Sequence, residues 1–240
     1  WTEFITSKKY KIYFMTNEEV WVEKLEEVKQ LAEKYFAPIA AGQKYHRNLP
    51  KEPAQTQEII EIVHADVPNS AIYKVFKMPG RMEKGYAAID LISDILSQGK
   101  SSRLYQNLVQ QNPVFSDIKA YNMGSIDTGM FVIEGKPLPG VDVNEADELI
   151  WQELQQLQLQ PILEDELVKV KNKYESSKAF SEMNLLDKAM NLAFYELFGD
   201  ANLINTDLQN YLAVTVQEIQ EEAKNLFNRQ QATTLFYLAN

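Results

Sequence analysis

A chain of 240 residues, 45% hydrophobic and 24% charged, has the material for a buried core, with room for one large domain or one domain and part of another. Its 34 acidic and 24 basic residues leave a net charge of −10, which argues against a nucleic-acid partner and suits a soluble protein. With no cysteine, disulfides and thiolate metal sites are excluded, and no apolar run approaches the roughly 20 residues that span a bilayer.

The chain opens on Trp1 rather than Met, so it is expected to be a processed or excised piece with sequence upstream. Its first stretch, "KKYKIYFM", alternates Tyr10, Ile12 and Phe14 and reads as a strand. Thr16 and Glu19 then fit a capping box, and Trp21, Leu25, Val28, Ala32 and Tyr35 recur at helical spacing up to Pro38. Residues 37–57 carry three prolines and one glycine among polar residues, the composition of an extended linker. The expected organisation is therefore a strand–helix segment over 1–36, a linker over 37–57 and a second unit over 58–240.

In that second unit "EIIEIVHA" and "AIYKVFKM" read as strands joined by the turn "DVPNS". "YAAIDLISDIL" is a helix with Ala88, Leu91, Ile92 and Ile95 inward. "SSRLYQNLVQQ" is another, capped by Ser101 or Ser102 and burying Leu104, Leu108 and Val109. "FSDIKAYNM" and "TGMFVIEG" are strands around the turn "GSID". Three helices follow. The first takes Asn144 as its cap, with Ala146, Leu149, Ile150, Leu154 and Leu157 inward, and breaks at Pro161. The second runs to a stop at Gly199, with an apolar stripe of Ala179, Met183, Leu186, Met190, Ala193 and Leu197 expected to pack in the core. The third opens on the capping box of Thr215 and Glu218, and "TTLFYLA" closes the chain as a strand. The order β-β-α-α-β-β-α-α-α-β implies an α+β fold, a mostly antiparallel sheet with helices layered on one face.

Each candidate chemistry fails at a stated position. Gly99-Lys100-Ser101 looks like the end of a phosphate-binding loop, but Asp94 stands where that loop needs its first glycine, and a helix precedes it where a strand is required. Gly99 is better read as a helix stop. The two histidines, His46 in the linker and His64 on a strand, form no His-Glu-x-x-His or His-x-x-Glu-His string, so no metal site is expected within the chain. No Gly-x-Ser-x-Gly elbow is present. The pairs Glu26-Glu27 and Glu221-Glu222 are helix neighbours that diverge, so neither forms a shared-proton dyad.

Several stretches together resemble one family. "LAEKYFAPIAAGQKYHRNLPKEP" is similar to the end of the first domain and the linker of the pitrilysin/insulinase-like zinc peptidases. "SDILSQGKSSRLYQNLV", "FSDIKAYNMGSIDTGMFVIEG" and "ATTLFYLA" are similar to the second, non-catalytic domain of that family, as in a bacterial processing-peptidase-like subunit. The resemblance implies the fold of the LuxS/mitochondrial-processing-peptidase-like metalloenzymes, with zinc held in the first domain by a His-x-x-Glu-His helix that this sequence does not contain. It implies a homo- or heterodimer closing around a peptide or unfolded polypeptide, with no nucleic acid and no membrane span. The compartment, cytoplasmic or periplasmic, stays open. Active members carry an Arg-x-x-x-Gly-x-x-Tyr stretch whose Arg and Tyr reach the substrate; here those positions are Val109 and Ser116, and neither side chain can replace its counterpart. Gly99, Ser101, Ser102 and Arg103 are then expected to form a structural helix junction, with Arg103 bonding carbonyls or a carboxylate. The expected function is the substrate-chamber domain of a zinc metalloendopeptidase subunit, not catalytic by itself. The alternative is an inactive scaffold or peptide-binding subunit.

Overall fold

Alternation in "AIYKVFKM" organises the sheet. The computed structural model describes residues 25–40, 42, 50 and 53–240, and in it Ile72, Lys74, Phe76 and Met78 lie buried along one side of that strand. Five strands form one sheet: β1 (Ile59–Ala65), β2 (Ala71–Met78), β3 (Phe115–Met123), β4 (Gly129–Pro137) and β5 (Thr233–Ala239), in the order β1-β5-β2-β4-β3. Among these strands only β1 and β5 run parallel and the other neighbours are antiparallel; the turn at 124–128 closes the hairpin of β3 and β4, whereas 66–70 connects β1 to β2, which do not pair because β5 lies between them.

The described residues form two compact units. The larger is Pro53–Lys178 with Leu203–Asn240; the smaller includes α1 (Leu25–Phe36) and Ala179–Asn202. In the larger unit, α2 (Tyr86–Ser97) buries Ala88, Ile89, Leu91, Ile92, Ile95 and Leu96, so the expected inward face is present and wider than its periodicity suggested. A short turn α3 (Arg103–Tyr105) runs into a π-helical segment, Gln106–Gln111. The chain then passes through α4 (Val143–Leu159), α5 (Glu164–Met183), α6 (Leu185–Leu197), α7 (Ile204–Ala213) and α8 (Val216–Leu226).

Those are five helices where the pattern suggested three. Asn184 starts a new helix by accepting the Leu186 N–H at 2.9 Å, which splits the second one, and α7 follows a 3-10 turn past Gly199. The first helix is capped by Asp142, which accepts from the N–H groups of Asn144 and Glu145, not by Asn144 itself. The capping box of Thr215 and Glu218 is present in full, and Gly199 stops α6 at φ +108°. The stripe expected in the core is not there: Met183, Met190 and Leu197 are 77%, 59% and 71% exposed. The interruption at Asn184 resets the helical phase on which that stripe was counted. Tyr35, placed on the inward face of α1, is also exposed, whereas Val28 is buried. The expected first strand, the Thr16–Glu19 cap, Trp21, His46 and part of the linker lie outside the described residues.

Under the sheet the core is aromatic and edge-packed. Phe76 meets Trp151 at 5.7 Å and Phe227 at 5.2 Å between ring centroids, and Phe131 meets Phe227 at 5.4 Å. Within it lies an ion pair. Lys74 is fully buried in β2; its Nζ sits 2.8 Å from Asp147 Oδ1 on α4, donates to Thr234 Oγ1 on β5 at 2.8 Å, and lies 4.4 Å from the ring centre of Trp151. Burial pushes the Lys74 amine down and the Asp147 carboxyl up, and each charge opposes the shift of the other.

By contrast α5 is held by polar contacts. Lys173 reaches Asp94 at 2.7 Å, Lys169 reaches Ser101 at 3.1 Å, and Tyr174 stacks on Tyr211 at 3.6 Å. Only Leu167 and Val170 of this helix are buried.

Removing one member of the buried pair strands the other. Asp147→Ala is expected to lower stability in urea by about 3–5 kcal/mol, while Lys74→Met combined with Asp147→Leu recovers most of that loss. A double variant as unstable as the single one would show that packing, not charge, dominates here.

Candidate functional site

Two regions bear on function: the turn between α2 and the π-helical segment, and the sheet face opposite the helices. At the turn, Gly99 adopts φ +76°, a conformation that glycine takes without strain. Ser102 is fully buried and occupies the cap position of α3, but its hydroxyl donates back to the Gly99 carbonyl at 2.7 Å instead of accepting from the helix. The Ser101 hydroxyl meets Lys169, and Lys100 is exposed. Gly99-Lys100-Ser101 therefore joins two helical segments, with no strand before it to shape a phosphate cradle.

Arg103 forms a fork with Glu166 at the start of α5: Nε donates to Oε1 at 2.9 Å and an Nη donates to Oε2 at 2.8 Å. These bonds hold the Glu166 carboxyl below its ordinary range, against the opposing effect of burial. Nearby, Asn107 donates to the buried Glu153 of α4 at 2.7 Å, which ties down the π-helical segment. Burial raises the Glu153 carboxyl more than this bond lowers it.

Val109 lies half-buried in the π-helical segment, its side chain packed against the core. Ser116 stands at the irregularity between Phe115 and Asp117, where β3 slips register against β4, and its hydroxyl donates to the Lys136 carbonyl at 3.1 Å. Val109 offers no polar atom, and the one hydroxyl at Ser116 is already taken by backbone. His64 is exposed on β1, and among the described residues no three His, Asp or Glu side chains cluster as metal ligands. The described residues do not fit a zinc centre.

The open face of the sheet was not singled out by motif. Cross-strand register aligns Lys119, Glu134, Tyr73, Leu235 and Glu61 in one row, and Tyr121, Val132, Val75, Thr233 and Ile59 in the next. Tyr73, Val75, Tyr121, Leu235 and Tyr237 are half-buried, so apolar and aromatic surface lies beside charged groups. Lys119 pairs with Glu134 at 3.2 Å. Burial raises the Tyr73 phenol, and Glu134 adds to that. The only sequence signal for this face was the second, less buried parity of "AIYKVFKM".

Arg103→Ala is expected to lower stability by about 1 kcal/mol, discounted for partial exposure. Because the folded-state Glu166 carboxyl is depressed, this contribution is present above its unfolded value and lost as pH falls through the lowered one. The variant should therefore show a shallower loss of stability with acid than the parent. Equal acid profiles would contradict the assignment.

Comparison with known proteins accords with this geometry. Residues 23–174 match the family model described as the peptidase M16 inactive domain. Over 187 residues the chain is 27% identical to the zinc protease PqqE of Helicobacter pylori, covering 78% of this chain and 42% of that protein. The crystal structure of a protease from Helicobacter pylori has a TM-score of 0.81 and 26% identity, over 88% of this chain and 52% of the other. A peptidase M16 inactive domain from Pseudomonas fluorescens shares the fold at TM-score 0.75 and 14% identity, over 90% and 51%. The chain thus spans about half the length of these relatives, or less. With the family model matched over more than half of the sequence, and the one-sided α+β sheet in place, this chain belongs to the peptidase M16 inactive-domain family.

Proposed function

We propose that this chain forms the non-catalytic wall of a peptide chamber in a zinc-dependent metalloendopeptidase subunit. In this reading residues 1–36 end the preceding domain, 37–57 link, and 58–240 form the wall. The observation that carries it is the pairing of a half-buried Val109 with a Ser116 whose hydroxyl is bound to Lys136. Acyl-transfer chemistry needs donors aimed at the developing oxyanion, and these positions supply none. Any zinc belongs to the preceding domain, and donors that contact the reacting carbonyl belong to a second subunit of the same family. The mixed apolar and charged face around Tyr73, Tyr121 and Tyr237 suits an unfolded polypeptide, because it offers contact area without demanding one side chain.

A non-cleaving scaffold or peptide-binding subunit is the second reading, favoured by the same missing donors. The full-length protein separates the two. Metal analysis is expected to find one zinc per full-length subunit and none in this chain alone, with peptide cleavage appearing only on mixing with a donor-bearing partner subunit. No zinc and no cleavage in any mixture would leave the scaffold. A tightly held zinc in this chain alone would overturn the site reading.

A further inference from the structure

We propose that the outer edge of β1 is a docking strand for an extended polypeptide segment, which it would take up as a sixth strand of the sheet. The inference does not rest on the peptidase reading, since pairing and cleavage are read by different measurements. Among the described residues β1 has one strand neighbour, β5. The Ile59 N–H donates to the Ala232 carbonyl at 3.0 Å, and the Asn240 N–H donates to the Ala65 carbonyl at 3.1 Å. This phase of a parallel ladder turns residues 59, 61, 63 and 65 toward β5, and directs the N–H and C=O groups of Ile60, Ile62 and His64 to the outside.

Side chains on both faces of β1 are bare as well. Ile60 and Ile62 are in register with Thr234 and Phe236, which the helix layer buries at 0% and 4% exposure, yet they are themselves 52% and 58% exposed. The helix layer therefore stops at β5 and β1 overhangs it. On the other face Ile59 and Val63 are exposed too. Edge strands are ordinarily blunted by charged side chains, lysine above all, by proline or by a bulge; β1 has a single charge, Glu61, and neither lysine, proline nor bulge. A strand with β-branched apolar residues on both faces and a free main-chain row is complementary to another strand. The exposed acids Glu61 and Asp66 select for basic character in the occupant. A second copy would instead bring an identical acidic edge, on a chain of net charge −10, against this one.

The test titrates the chain with a short capped peptide of alternating valine and lysine, reading amide hydrogen exchange. Saturable binding is expected to slow exchange at Ile60, Ile62 and His64, and to vanish for the same peptide N-methylated along one edge. Ile62→Pro deletes an outward N–H without touching the β5 ladder, and should weaken binding by about tenfold or more. The N-methylated peptide gives the same answer without altering the protein, should that variant fail to fold. Unchanged exchange at those three amides, or equal binding of the N-methylated peptide, would overturn the proposal. So would concentration-dependent protection of the same amides without peptide, which would assign the edge to a second copy.

Discussion

The larger unit depends on how β2 disposes of its two faces. One side, Ile72, Lys74, Phe76 and Met78, is sealed under helices; the other, Tyr73, Val75 and Lys77, stays accessible. A period of two makes this division sharp, because a slip of one residue would exchange the faces. Lys74 reinforces the register. A buried ammonium tolerates one location, the one where Asp147, Thr234 and the Trp151 ring converge, so the pair locks β2, α4 and β5 to one another.

From that division follows the separation of roles. The sealed face supplies rigidity through edge-packed rings and branched aliphatics, and α5 is then attached by charges and a tyrosine stack. Among the described residues, the open face and the overhanging β1 present contact area and main-chain groups but no cluster of metal-ligating side chains. Nothing in the packing requires donors at Val109 or Ser116: the first serves the core and the second closes a strand irregularity.

Much of this was legible from residues in order. The five strands of the sheet, the α+β class, the capping box of Thr215 and Glu218 and the stop at Gly199 rest on local patterns of period, cap and turn, and those patterns are where the elements occur. The failures share one cause. Asp142 displaced Asn144 as cap, Asn184 divided a helix, and the stripe through Met183 and Met190 faced outward, because equivalent local signals compete and only the surroundings choose among them.

By itself, the sequence determined composition, the missing metal motif, the absence of donors at two family positions and the alternation that builds the sheet. Those are properties of single residues or of near neighbours. Tertiary structure decided that Arg103 meets Glu166, that Lys74 meets Asp147 across the chain, and that β1 projects past the helices covering β5. Such contacts join residues far apart in sequence, and their energies depend on burial, which no local pattern contains.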